Sequence, residues 1–291
     1  MNIIAQKNLL LPNLFIGGVQ RSGTTYLHNL LKEHPDIFTP KYPQEIHFFD
    51  LDKNYNKGLK WYSKYFRQWH QQKIIFQTSP LYIYLPEVPK RIAKILPESK
   101  FIFILRNPID RAYSHYWHSV KYAYETLSFA EAIKLESSRI CKNQQYNRQY
   151  SYLERGKYAE QLSRFYCEFP KQNILVILFD ELREKPHLVL AKCASFLKID
   201  ANLFPPNLIE KIKAKKNQSR LPRSYYVQKI STKMKNSPLL FLSVLIDKVN
   251  LKSTNYPPMS IEIRNDLQDY FEPEIQKLEK LIDQDLSYWL K

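Results

Sequence analysis

The sequence predicts an α/β fold, a central parallel sheet with helices on both faces. Three observations carry that expectation. Short apolar runs alternate with segments of helical spacing along the chain. Phe101–Leu105 is apolar without a break, as a strand buried on both faces must be. A glycine-bearing turn, Gly17 to Tyr26, stands between the first apolar run and the first helical segment.

The elements follow in order. Leu14–Gly17 forms the first strand. A helix over Thr24–His34 can be capped by Thr24 and Thr25, places Tyr26, Leu27, Leu30 and Leu31 on one face, and stops before Pro35. A loop then carries Glu45. Strand Lys73–Gln77 leads to a helix over Pro86–Leu96, and strand Phe101–Leu105 to a helix over Asp110–Lys121. Helices near Phe129–Cys141 and Lys157–Phe169 precede strand Ile174–Phe179, and a helix near Pro186–Leu197 follows. Near the end, Ile275, Leu278, Leu281, Ile282 and Trp289 mark one face of an amphipathic helix.

The turn GGVQRSGTTY has the chemistry of an anion site. Backbone N–H groups at a helix start lack internal partners and carry the positive end of the helix dipole. Gly18 and Gly23 have the spacing of the phosphate-gripping loop of nucleotide hydrolases, but Thr24 stands where that loop needs lysine. A second segment, KFIFILRNPIDRAYSHYWHSVK (Lys100 to Lys121), ends its strand in Arg106 and places Ser114 inside the following helix. Ligands of open α/β sheets bind beyond the carboxyl ends of strands, and a guanidinium with a hydroxyl makes a phosphate clamp. An ion pair of Arg106 with a carboxylate such as Asp110 is the plain alternative.

Together these segments resemble the sulfotransferases that use 3′-phosphoadenosine-5′-phosphosulfate. GVQRSGTTYL is similar to the family's 5′-phosphosulfate loop, and FILRNPIDRAYSHY to its 3′-phosphate motif. PQEIHFFD (Pro43 to Asp50) resembles the acceptor-side motif of the heparan-sulfate type and related bacterial enzymes. Further matches are SYLERGKYAEQLSRF, NQSRLPRS and YPPMSIEIRNDL, so the resemblance runs over nearly the whole chain. It implies the P-loop-like three-layer sulfotransferase fold. It also implies that Gln20, Arg21, Ser22, Gly23, Thr24 and Thr25 hold the 5′-phosphosulfate, with Arg106 and Ser114 on the 3′-phosphate. Lys215, Arg220 and Arg223 would close over the nucleotide, unless that stretch is plain basic surface. Glu45 becomes the base that takes the acceptor's proton, Arg21 stabilises the leaving phosphate, and His47 orients Glu45 or the acceptor; His47-Phe48-Phe49 can equally be core. Asp50 is a further polar candidate. The implied co-substrate is 3′-phosphoadenosine-5′-phosphosulfate and the product adenosine 3′,5′-bisphosphate, with no metal expected.

The chain departs from the pattern in places. Arg21 stands where heparan-type members have lysine, which keeps the charge. Gln77 replaces an acidic residue common two positions before the motif Ser, and Thr78 replaces a lysine next to it. These changes weaken a glycan-binding role for that strand end. A kinase or other nucleotide hydrolase is the rival reading; it needs lysine at position 24 and draws only on Asp180 after a strand. A basic nucleic-acid module has just Tyr225 and Tyr226 beside Arg223 in its favour.

Length and composition fit one enzyme domain, 1–291. The net charge of +16 suits an anionic donor and exceeds what one donor requires. A solvated surface, an acidic glycan acceptor or a membrane would each use the excess. The stretch Lys229–Ile246, basic then apolar, can cover the acceptor as a lid, within 225–250, or touch a membrane. Cys141, Cys167 and Cys193 stand far apart, which suggests idle thiols in a reducing cytosol. The N-terminal stretch lacks the order of a signal peptide and no run reaches the length of a membrane span. The expectation is a cytoplasmic enzyme with a small-molecule acceptor, in the manner of natural-product tailoring, or else a glycan or glycolipid. No nucleic-acid partner and no stable membrane insertion are expected, and the oligomeric state is not readable.

Overall fold

A computed structural model describes residues 9–214, 220–235 and 237–291. The described residues form two compact units, Met1–Arg106 with Tyr158–Lys215, and Asn107–Lys157 with Lys216–Lys291.

The first unit contains a five-stranded parallel sheet: β1 (Leu14–Gly18), β2 (Ile37–Phe38), β3 (Ile74–Thr78), β4 (Lys100–Leu105) and β5 (Ile174–Leu178), in the order β2-β3-β1-β4-β5. Every residue of β1 and β3 is buried, including the polar Gln77 and Thr78 at the end of β3. One face packs Leu14, Ile16, Phe76, Ile102, Ile104 and Ile177 against Leu27, Leu30 and Leu31 of the helix Thr24–Leu31, and against Val189, Leu190 and Cys193 of the helix Pro186–Leu197. Aromatic rings fill the other: Phe101 stacks on Phe15 at 5.5 Å and meets Phe165 of the helix Tyr158–Glu168 and Phe169 just after it. Gly17 is required by this packing, since a Cβ there would lie 2.5 Å from the Phe103 ring.

The second unit is mostly helical. Its long helix Ile261–Ile282 buries Leu267, Phe271, Ile275 and Leu278. Buried polar groups knit its interior. Arg111 donates to the Tyr152 carbonyl, and Glu136 accepts the N–H groups of Leu153 at 2.7 Å and Glu154 at 2.8 Å. Glu125 accepts from Arg139 at 2.7 Å and from the Tyr152 hydroxyl at 2.8 Å. Arg220–Pro222 (β6) and Leu251–Ser253 (β7) form an antiparallel ladder.

The elements depart from expectation mainly at their ends. The expected helix Phe129–Cys141 is two short helices, Phe129–Lys134 and Glu136–Ile140, the first fixed by a Ser128–Glu131 capping box. Trp289 is buried but lies on a separate turn, Ser287–Leu290. The long helix stops earlier, where Asp283 turns left-handed at φ 54°. Phe179 is not the last strand residue; it begins the helix Phe179–Glu184.

Candidate active site

The site grows from the end of β1. The chain turns through Val19–Ser22, and the Val19 N–H donates to the Ile104 carbonyl at 3.0 Å. Arg21 and Gly23 both turn left-handed, at φ 74° and 86°. At Gly23 a Cβ would meet the Phe179 ring at 3.3 Å and Leu182 at 3.2 Å, so glycine suits the position twice over. Gly23 is the N-cap. Thr24 and Thr25 are therefore not caps but the first two helical residues, and no side chain caps the helix. An uncapped start leaves the positive pole available to an anion. Ser22 contributes differently from expectation. Its N–H is engaged by the Val19 carbonyl at 3.2 Å. Its hydroxyl is fully buried and has no hydrogen-bond partner among the described residues. A buried donor of this kind suits an anion reaching into the loop. Thr24 is buried as well, Gln20 and Arg21 are half-buried, and Thr25 is exposed.

Arg106 follows β4, the neighbour of β1. Its Nη1 donates to the Arg21 carbonyl at 3.1 Å, and its guanidinium lies over the Phe179 ring at 4.9 Å. The Tyr158 hydroxyl donates to its carbonyl at 2.8 Å. Arg106 is thus fastened beside the loop at the carboxyl ends of two adjacent strands, where open sheets bind ligands. Phe179 and Tyr158 were missed from sequence. Phe179 looked like strand, and nothing local distinguishes Tyr158. In the second unit, Asp110 pairs with Arg264 at 2.7 Å.

Glu45 is on the loop between β2 and β3, and its side chain is 40% exposed. His47 Nε2 lies 3.6 Å from Glu45 Oε2, and His47 Nδ1 lies 2.8 Å from Asp50 Oδ2. Asp50 is fully buried. An extended segment was expected to put Glu45 and His47 on one side; the backbone instead turns left-handed at His47, φ 55°, and still brings them together. Asn54 holds this turn by donating to the His47 carbonyl at 3.0 Å. The two phenylalanines are core: Phe48 stacks on Tyr62 at 4.2 Å, and both are buried.

The variant strand end of β3 is buried too. Gln77 accepts from the Tyr62 hydroxyl, and Thr78 Oγ1 lies 2.8 Å from His28 Nδ1. A cavity of about 660 Å³ in this unit is lined by His28, Lys32, Glu33, Lys41, Gln68 and His70 among others.

The remaining candidates belong to the second unit. Ser114 is half-buried on the helix Pro108–Lys121. Arg220 and Arg223 are exposed, at the start of the β6–β7 ladder and just beyond it. Lys215 lies outside the described residues.

Comparison with known proteins agrees with this geometry. Residues 11–289 match the family described as "Sulfotransferase domain". The chain is 28% identical over 305 residues to human bifunctional heparan sulfate N-deacetylase/N-sulfotransferase 3, an alignment covering 97% of this chain and 31% of that protein. It is 33% identical over 199 residues to human heparan sulfate glucosamine 3-O-sulfotransferase 5, covering 68% of this chain and 56% of that one. The chain therefore spans about a third to about half the length of these curated relatives. Among solved structures, a sulfotransferase from Alicyclobacillus acidocaldarius superposes with a TM-score of 0.74 at 27% identity, covering 97% of this chain and 100% of that one. A mouse sulfotransferase complexed with PAP shares the fold, with a TM-score of 0.54 at 16% identity over 98% of this chain and 91% of that one. The α/β sheet, the glycine loop and the match over 11–289 lead to one conclusion: this chain belongs to the sulfotransferase domain family.

Proposed function

We propose that the chain transfers a sulfuryl group from 3′-phosphoadenosine-5′-phosphosulfate to a hydroxyl or amine, releasing adenosine 3′,5′-bisphosphate. The observation that carries the donor half is the loop: an uncapped helix start, a buried Ser22 hydroxyl without a protein partner, and Arg106 locked to the Arg21 carbonyl. The donor set is cationic and rich in N–H and O–H groups, which fits a phosphosulfate. Arg21 and the N–H groups of the first helical turn would bind it; one preorganised donor of this kind is worth about 3 kcal/mol of barrier. Arg106, with Ser114, is our assignment for the 3′-phosphate, and Arg220 and Arg223 for closing over the nucleotide.

On the acceptor side Glu45 is the base. Its partly exposed carboxylate can reach an acceptor, while His47 bridges it to buried Asp50. Asp50 accepts the His47 Nδ1–H and so turns Nε2 towards Glu45. A proton taken by Glu45 can pass to Nε2, which restores the carboxylate. For the acceptor we propose an anionic saccharide in preference to a small natural product. The names of the heparan sulfate relatives support this, as do Lys32 and Lys41, which line the cavity together with Glu33.

Thermal unfolding with adenosine 3′,5′-bisphosphate, ADP and ATP, each with and without magnesium, tests the donor. Ligand at a hundred times its Kd should stabilise by about 2.7 kcal/mol. We expect the bisphosphate to act without metal; a shift with ATP and magnesium alone would overturn the reading. Glu45→Gln should lower transfer on the order of a hundredfold or more and leave bisphosphate binding intact. Full activity in that variant would remove the base assignment. A desulfated heparan oligosaccharide, compared with a panel of small alcohols and amines, tests the acceptor.

A further inference from the structure

The helices Tyr225–Met234 and Leu240–Asn250 of the second unit form an antiparallel hairpin whose polarity is reversed. Its interior is polar. Asp247 Oδ1 accepts from Gln228 at 2.9 Å and from the Ser231 hydroxyl at 2.6 Å, and its Oδ2 pairs with Lys235 at 2.7 Å. Asn250 donates to Gln228 at 3.0 Å and to the Ser224 carbonyl at 3.0 Å. Gln228, Ser231, Ser243 and Asn250 are all buried. The outer surface is apolar. Tyr226 is 78% exposed, Phe241 62% and Val249 75%, and Ile230, Leu240, Val244 and Leu245 are exposed with them. Hydrogen bonds, not apolar burial, join these helices, and water faces the side chains that avoid it most. Large apolar side chains gathered in the open on one pair of helices mark a place that another phase or molecule covers.

We propose that this hairpin docks flat onto an anionic lipid surface. Charge selects the occupant. Between residues 220 and 256 the sequence has one acidic residue, Asp247, and the hairpin turns it inward. Lys229, Lys233, Lys248 and Lys252 stand exposed on or beside the same two helices. Lysine stems lie along apolar surface while their ammonium groups reach the phosphate level, so apolar and cationic groups are satisfied together at a lipid interface. A second copy of the chain would instead press these lysines against their own kind. The helices, of 10 and 11 residues, lie on the interface and do not cross it; a span needs about 20 residues.

Flotation of the full chain with vesicles of phosphatidylcholine alone, or phosphatidylcholine and phosphatidylglycerol in equal parts, tests the proposal. Binding should be confined to the anionic vesicles and should weaken with added salt. Phe241→Ser and Leu245→Ser should each reduce partitioning about tenfold. Both positions are exposed, so the melting temperature should be unchanged and serves as the control. Lys229→Glu with Lys233→Glu should abolish the preference for anionic vesicles. Absence of binding to either vesicle, or undiminished binding by the serine variants, overturns the proposal. So does a wild-type dimer in sedimentation that the serine variants dissolve, with no lipid binding.

Discussion

The Ser22 hydroxyl is buried without a partner, a state that costs about 1–3 kcal/mol. Ser22→Ala should therefore leave the unliganded protein as stable or slightly more so, while binding of adenosine 3′,5′-bisphosphate weakens. Calorimetry on both states checks this; a variant that loses stability yet binds normally would make Ser22 merely structural. His28 makes stability depend on pH. Burial, with repulsion from Lys32, lowers its imidazole from 6.5 to about 4. The unfolded chain takes up this proton near pH 6.5 and the folded chain only near pH 4. The stability it confers is thus full above pH 6.5 and lost as pH falls towards 4, about 3 kcal/mol in all. Glu136 works the other way. Burial raises its carboxyl from 4.5 to about 7, so its contribution is full below pH 4.5 and lost as pH rises through 7. Melting curves of His28→Gln in a Glu136→Gln background should be flatter between pH 4 and 6.5 than those of Glu136→Gln alone. Neither burial was legible in the sequence. A histidine on a helix and a glutamate in a polar stretch show nothing of what packs over them.

At the scale of elements, the loop and its helix depend on one glycine. Gly23→Ala forces a Cβ into a left-handed position against Phe179 and Leu182. The backbone alone should cost about 1–2 kcal/mol. The urea midpoint should fall with an unchanged slope, and bisphosphate binding should weaken because the first helical turn moves. The strands around this loop were readable because burial on both faces leaves no polar residue in the run, as Phe101–Leu105 shows. Helix ends were harder. Thr24 and Thr25 have the side chains of caps, yet the left-handed Gly23 took that place, and nothing local betrays such a turn. Phe179 has a strand's composition but starts a helix under Gly23 and Arg106, where its ring serves both. The glycine loop and the Glu45 segment could be put forward as candidates from sequence because their motifs are contiguous. The Glu45–His47–Asp50 alignment could not, since it depends on a left-handed turn at His47.

The whole molecule shows what composition can and cannot say. A charge of +16 is compatible with anionic partners and with a solvated surface, and composition does not choose between them. The structure distributes part of the charge: Arg106 is bonded to the Arg21 carbonyl at the loop, and Lys229, Lys233 and Lys248 stand exposed on the hairpin. Each compact unit is assembled from two separate stretches of chain. The ribosome must therefore deliver all of Asn107–Lys157 before β5 can join the sheet beside β4. No single cut of the chain liberates either unit intact. Gene fusion or circular permutation would have to respect this interleaving.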